Sequence, residues 1–345
     1  MRKRMLAAGL LVAAAVLPGG HAAVAQDRSE IVVGAGAAVY HTPVFVAAEK
    51  GIFDKHGLDA KVLVYQSGVE QINGQVNGAQ LVTLLGAAPF VSAVSNGMPL
   101  KIIAGFHGNP LSNSYADIFG VAASKDSGVS SVEELKGKKV GLHIGSGSEI
   151  YMNGLLADAG VDRGEVEYVH VPANNTLAAI TTGDVDAIAV WEPWIANAVA
   201  NAGATRVMKG GCSGCYETGI TITTDDILEN RRDDLTRYLA AFAEAQQWVR
   251  NNKDEAADIG ARWLPGTDRD VIRAVLEDAP LDMRLSKHVY SGLDEKTIAT
   301  LLEQDKIKRE VEAADIVAPE LVVELQKERP ELFADLPEIP EDLRL

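Results

Sequence analysis

The sequence predicts an α/β protein built as two similar lobes, and three observations carry the prediction. Short apolar runs alternate with helical segments, the alternation runs through twice, and from Gly219 onward it gives way to helices. Such alternation argues for parallel βαβ units, because neighbouring parallel strands need a crossover that a helix supplies.

The first series opens with "EIVVGA" as a strand, then "TPVFVAAEKG" as a helix with Pro43 in its first turn and Gly51 at its end. "LDAKVLVYQ" reads as a second strand, "GVEQINGQVNGAQ" as a polar helix or turn segment, "LVTLLG" as a buried strand, "APFVSAVSNG" as a helix and "LKIIAGF" as another strand. A second series begins after "ADIFGVAASKD", where Ser131 and Glu134 suit a capping box. There "KKVGLHIG" is a strand, "SEIYMNGLLADAG" a helix closed by Gly160, and "VEYVHV" and "DAIAVW" are strands around the helix-compatible "NNTLAAITTG". "ITITTD" fits one more strand, after which Leu235, Leu239, Phe242 and Trp248 recur at helical spacing. "DEAADIGARWL" and "EKTIATLLEQDKIKREVE" continue the helical pattern, so Trp248 and Trp263 read as core, and the Glu- and Pro-rich tail after Ala318 is expected to wrap a surface.

The first 25 residues have the form of a signal peptide. Arg2, Lys3 and Arg4 precede "MLAAGLLVAAAVLPGG", and Ala23-Val24-Ala25 supplies the small-x-small pattern of a cleavage site. Cleavage near Ala25 and a periplasmic product are expected; no later run is apolar enough to span a bilayer. The net charge of −16 disfavours nucleic acid and anionic membrane as partners. It leaves open a local pocket that binds an anion with backbone amides and helix ends. The two cysteines, Cys212 and Cys215, read in an oxidising compartment, point to a local disulfide ahead of free or metal-bound thiols. No motif for a metal is present, since a structural zinc would need two further ligands nearby.

Four loops depart from plain packing. "GAGAAVYHTP" after the first strand brings Gly34 and Gly36 close to Tyr40 and His41, although a cap by Thr42 ahead of Pro43 explains part of it. In "LLGAAPF", Gly86, Ala87 and Ala88 lead from a strand into a helix and can expose backbone N–H groups to an anion, or else serve tight helix–sheet packing. "HIGSGSEIY" enters a helix through Ser146, Gly147 and Ser148, whose hydroxyls and free amides suit an oxyanion, with capping by Ser148 as the plain reading. "AVWEPW" ends a strand with Trp191, Glu192 and Trp194: indoles as flat walls, the carboxylate as an acceptor for a cationic or amide group. Trp194 has equal claims as wall and as anchor of the following helix. All four loops follow strands, where open α/β sheets place their ligands.

"PVFVAAEKGIFDKHGLDAKV", "VSSVEELKGKKVGLHIGSGSE" and "GDVDAIAVWEPW" resemble the periplasmic solute-binding proteins of ABC importers for nitrate, alkanesulfonate and taurine, with the related thiamine-precursor binders. The resemblance implies a two-lobed type II binding-protein fold with a ligand cleft between the lobes. Lobe one would comprise residues 26–118 and 219–345, lobe two residues 119–218, with crossings near Ala116–Ala122 and Tyr216–Ile222. It implies no catalysis, no cofactor, a monomer, and as partners a small organic solute, a transmembrane permease and its cytoplasmic ATPase. Ligand contacts carried over residue by residue are Tyr40, His41, Gly86, Ala87, Ser146, Ser148, Trp191 and Glu192, with Trp194 beside them. Because these candidates include no Arg or Lys, an organic solute with one anionic end is favoured over a small bare anion. "CSGC" departs from the family pattern. The competing classes are a periplasmic enzyme, with Glu192 paired to His143 or His170 and a nucleophile among Ser146, Ser148 and Cys215, and a sensor component that binds the same ligand.

Overall fold

The computed structural model describes residues 28–111, 118–212 and 218–345. The expected signal peptide lies outside these residues, as do Cys215 and parts of both expected crossings.

Among the described residues, ten strands form two five-stranded sheets. The first contains β1 (Ser29–Gly36), β2 (Leu58–Tyr65), β3 (Val82–Gly86), β4 (Leu100–His107) and β10 (Gly219–Thr224), in the order β2-β1-β3-β10-β4. The second contains β5 (Phe119–Ala123), β6 (Lys139–Leu142), β7 (Glu167–His170), β8 (Ala187–Trp191) and β9 (Thr205–Lys209), in the order β7-β6-β8-β5-β9. The two orders correspond position for position, which is the architectural form of the repeat read in the sequence. β3 and β4 are apolar on both faces, as expected of strands covered by helices on each side.

One strand in each sheet breaks the parallel rule. β10 runs antiparallel to β3 and β4, and β5 antiparallel to β8 and β9. Both are the strands that the chain enters on passing from one sheet to the other, so they arrive without a crossover helix. Because β5 begins at Phe119 and β10 at Gly219, residues 119–122 and 219–222 are sheet strands, and the passages lie before them.

Most of the helices after β10 pack on the first sheet's lobe, while Arg269–Glu277 also meets helix Trp194–Ala202 of the second, where Asn197 donates to the Gly266 carbonyl at 3.1 Å. Helix Arg232–Asn251 buries Leu235, Leu239 and Phe242 as the spacing predicts. Trp263 stacks on Phe45 at 4.9 Å and donates Nε1–H to Glu49, while Lys50 lies 4.7 Å over Trp248, so both indoles are held against lobe one. The helix expected through "EKTIATLLEQDKIKREVE" is shorter than its pattern: it stops at Glu303, where Asp305 takes a left-handed φ of 55° and the chain leaves the helical path. The tail, instead of only wrapping a surface, forms helix Glu320–Glu328.

Candidate functional site

A cavity of about 90 Å³ opens between the two sheets and is lined from both lobes. Lobe one contributes the ends of β1 and β4 (Gly36, Phe106, His107), the turn with Tyr40 and His41, and the starts of two helices at Ser67–Gly68 and Gly86. Lobe two contributes Phe119, Ser146, Gly147 and Trp191. Among the described residues the lining contains no Lys, Arg, Asp or Glu.

Positive potential comes instead from backbone. Four helices begin at the cavity: Thr42–Glu49 behind His41, Gly68–Val76 behind Ser67, Ala87–Ser95 behind Gly86, and Gly147–Asp158 behind Ser146. A helix N-terminus carries about half a positive charge in its free N–H groups, but at Thr42–Glu49 the Thr42 amide already donates to the Val39 carbonyl and Pro43 has no N–H, so the amides on offer belong to the other three starts. Ser67 caps its own helix by accepting the Glu70 amide at 3.3 Å, and Ser146 accepts that of Ser148 at 3.2 Å. Gly86 makes no side-chain cap, so the first amides of Ala87–Ser95 lack that internal partner. The starts behind Ser67 and Gly86 belong to lobe one and that behind Ser146 to lobe two, so an anion held by them bridges the lobes.

Two buried histidines supply the polar wall. Burial pushes His41 down to about 3, helped by neighbouring His107, and burial pushes His107 down to about 3, so both rings are neutral at ordinary pH. His41 Nδ1 accepts the Gly36 amide at 3.2 Å, which places the ring's proton on Nε2. Glycine at 36 is needed for this approach, since a Cβ there would lie 2.9 Å from Nε2. The His107 ring packs between Phe106 at 4.3 Å and Tyr40 at 4.9 Å, and its Nδ1 has no partner among the described residues.

Of the residues singled out in the sequence as ligand contacts, Tyr40, His41, Gly86, Ser146 and Trp191 line the cavity. Trp191 is half-buried and meets Phe119 edge-on at 6.1 Å. Ala87, Ser148, Glu192 and Trp194 do not line it. Ala87 is the first helical residue after Gly86 and is fully buried, so what it can offer a solute is an amide and not a side chain. Ser148 is fully buried in the first turn of its helix, with no hydroxyl partner among the described residues. Trp194 belongs to the apolar core of lobe two beside Ile195 and Val190. Glu192 is turned away from the cavity: its carboxylate lies 2.8 Å from Arg206 Nη1 and accepts the Ala196 amide at 2.9 Å. The Arg206 contact is chiefly Coulombic, because that Nη1 meets the distance of an ion pair without making an aligned hydrogen bond.

Among the described residues, which exclude Cys215, the enzyme arrangement also fails geometrically. Ser146 Oγ donates to the main-chain carbonyl of His143 at 2.7 Å and not to a ring nitrogen. The His143 and His170 rings meet edge-on at 4.8 Å; burial, then His170, lowers His143, against a smaller upward pull from Glu70. Sequence reasoning missed Ser67, Gly68, Gln71, Phe106, His107 and Phe119. Ser67 with Glu70 had a legible signal as an N-cap, but the segment carried no glycine-rich or aromatic pattern to set it apart.

A family model described as "NMT1/THI5 like" matches residues 38–256, which include every cavity-lining residue except Gly36 and Ala37. A candidate aliphatic-sulfonates-binding protein of Bacillus subtilis (strain 168) is 26% identical over 281 residues, covering 80% of this chain and 82% of that one. Among solved structures, the alkanesulfonate-binding protein SsuA from Xanthomonas axonopodis pv. citri, bound to MOPS, superposes with a TM-score of 0.73. It is 17% identical and covers 85% of this chain and 99% of its own. The periplasmic nitrate-binding protein NrtA from Synechocystis PCC 6803 gives a TM-score of 0.74 at 16% identity, covering 90% of this chain and 92% of its own. At these identities the structures establish the shared two-lobed fold.

Proposed function

The chain belongs to the NMT1/THI5-like family, and from that premise we propose that it is the exported solute-binding component of an ABC importer. It captures a small organic solute with an anionic end, of the sulfonate, taurine-like or aromatic carboxylate kind, and delivers it to a permease served by a cytoplasmic ATPase. The observation that carries this reading is the convergence of three helix N-termini with free amides, behind Ser67, Gly86 and Ser146 and drawn from two lobes, on a cavity without charged side chains. Backbone amides there favour an anionic head group. The neutral rings of His41 and His107 line the cavity and bring no net charge to it. Trp191, Phe119 and Phe106 give the rest of the solute apolar walls.

The mechanism is binding without bond making. An open form admits solute, contacts from both lobes favour the closed form, and the closed form is what the permease recognises. The relative of Bacillus subtilis, named for aliphatic sulfonates, supports the choice of solute class. Isothermal titration against alkanesulfonates, taurine, aromatic carboxylates and nitrate, with small-angle scattering on any binder, tests the reading. An anionic organic solute should bind and leave the radius of gyration no larger than that of the free protein. Failure of every anion, or binding that expands the molecule, would refute it.

A further inference from the structure

Away from the cavity lining, a turn of lobe one grips the ligand-facing helix of lobe two. Lys306 Nζ lies 2.7 Å from Glu149 Oε1, and Asn153 Nδ2 donates to Gln304 Oε1 at 2.9 Å. Glu149 and Asn153 stand one turn apart on helix Gly147–Asp158, whose start at Ser146–Gly147 lines the cavity. The other end of the grip belongs to lobe one: Ser95 Oγ donates to the Arg309 carbonyl at 2.7 Å, and Val317 bridges Ile102 on β4.

The turn is built at a conformational cost. Asp305 is the non-glycine residue with positive φ among the described residues, and the Lys306 amide reaches back to the Leu301 carbonyl at 2.8 Å, as in a helix C-cap that glycine usually forms. This geometry ends the helix and sends the Lys306 ammonium across to Glu149. Glu149 needs it. Its side chain is only 10% exposed against 38% for Lys306, and its other oxygen accepts the Gly145 amide at 2.8 Å, within the same loop that faces the cavity. Without Lys306 a carboxylate would remain, unneutralised, in the first turn of a helix whose N-terminus is offered to an anion.

We infer that Gln304–Lys306 is an interlobe latch: closing the lobes brings Lys306 onto Glu149, neutralises that carboxylate, and so couples closure to anion affinity. Lys306 and Glu149 are positioning residues that need not touch the solute. The coupling to affinity rests on the anion-binding reading above, whereas the effect on closure does not, and two measurements keep them separate.

Scattering from the solute-free mature protein reads closure alone. Lys306→Met should raise the radius of gyration, with some loss of stability from the carboxylate left at Glu149, and Lys306→Arg should keep the wild-type radius and stability. An unchanged radius in Lys306→Met, or the same increase in Lys306→Arg, overturns the latch. Titration with ethanesulfonate reads the coupling. Lys306→Met should bind on the order of threefold to tenfold more weakly, and adding Glu149→Gln should recover most of that loss, since the unneutralised charge is then gone. Additive losses in the double variant overturn the electrostatic coupling. Failure of the wild type to bind ethanesulfonate would count against the anion reading, with the latch still judged by scattering.

Discussion

Arg206 on β9 reaches across β5 to meet Glu192 at the end of β8, with 2.8 Å between Nη1 and the carboxylate. This contact turns the acidic residue of "AVWEPW" into the body of lobe two and leaves Trp191 alone at the cavity. Glu192 is 6% exposed and Arg206 31%, so the pair is buried on one side only. Arg206→Met should destabilise the solute-free protein by about 2–3 kcal/mol, below the cost of breaking a fully buried pair because the arginine is partly hydrated. Urea unfolding measures it. A loss of solute affinity at unchanged stability would instead return Glu192 to the binding site.

Trp191 and Trp194 should separate cleanly. Trp191→Ala removes a cavity wall and should weaken solute binding by about 1–3 kcal/mol with the fold largely intact. Trp194→Ala empties a buried core site and should cost about 3–5 kcal/mol of stability, affecting binding only through unfolding. Denaturant unfolding paired with calorimetric titration of each variant distinguishes the two, and reversed behaviour would show that the indoles have been assigned the wrong roles.

Most of the fold was legible in the sequence because burial on both faces writes itself as short apolar runs, such as "LVTLLG" and "LKIIAGF", and βα punctuation by Gly86 and Ser146 marks the strand ends that face a ligand. The direction of β5 and β10 was not legible, because an antiparallel strand has the same local composition as a parallel one. The turn of Glu192 escaped for a related reason: its partner Arg206 lies two strands away, and a nearby Pro and Trp say nothing about a long-range ion pair. His107 escaped because it closes an apolar strand and only the return of β10 brings Gly219 under its ring, where a Cβ would lie 2.4 Å from Cδ2.

The histidine pair predicts acid sensitivity. Both folded-state values are depressed from 6.5 to about 3, so between these limits the unfolded chain binds protons that the folded chain refuses. Stability is therefore full above pH 6.5 and falls as pH drops toward 3, by up to roughly 1.4 kcal/mol per pH unit for each histidine. Urea unfolding at pH 7.5 and pH 5 should show a smaller loss in His107→Gln than in the wild type. Equal losses would mean that His107 takes up its proton as readily in the folded protein as in the unfolded chain.

Cys212 is buried, and no free cysteine occurs among the described residues. Pairing with Cys215 remains the expectation for exported material. Thiol counting in denaturant should find none before reduction and two after it. Two reactive thiols in oxidised periplasmic protein would reject the bond. The closed ring is very short, so reduction should change the unfolding midpoint little.

On the proposed reading, backbone amides at three converging helix starts select an anionic head group. The most direct measurement is a thermal-shift comparison of the mature protein with matched pairs of solutes, each sulfonate or carboxylate set against an uncharged counterpart of the same shape. At a hundredfold excess over its dissociation constant a true solute stabilises by about 2.7 kcal/mol. A concentration-dependent rise in midpoint is expected for at least one anion, with no rise for its neutral counterpart and a reduced rise in Trp191→Ala. Equal shifts from charged and uncharged partners, or none from any anion, would contradict it.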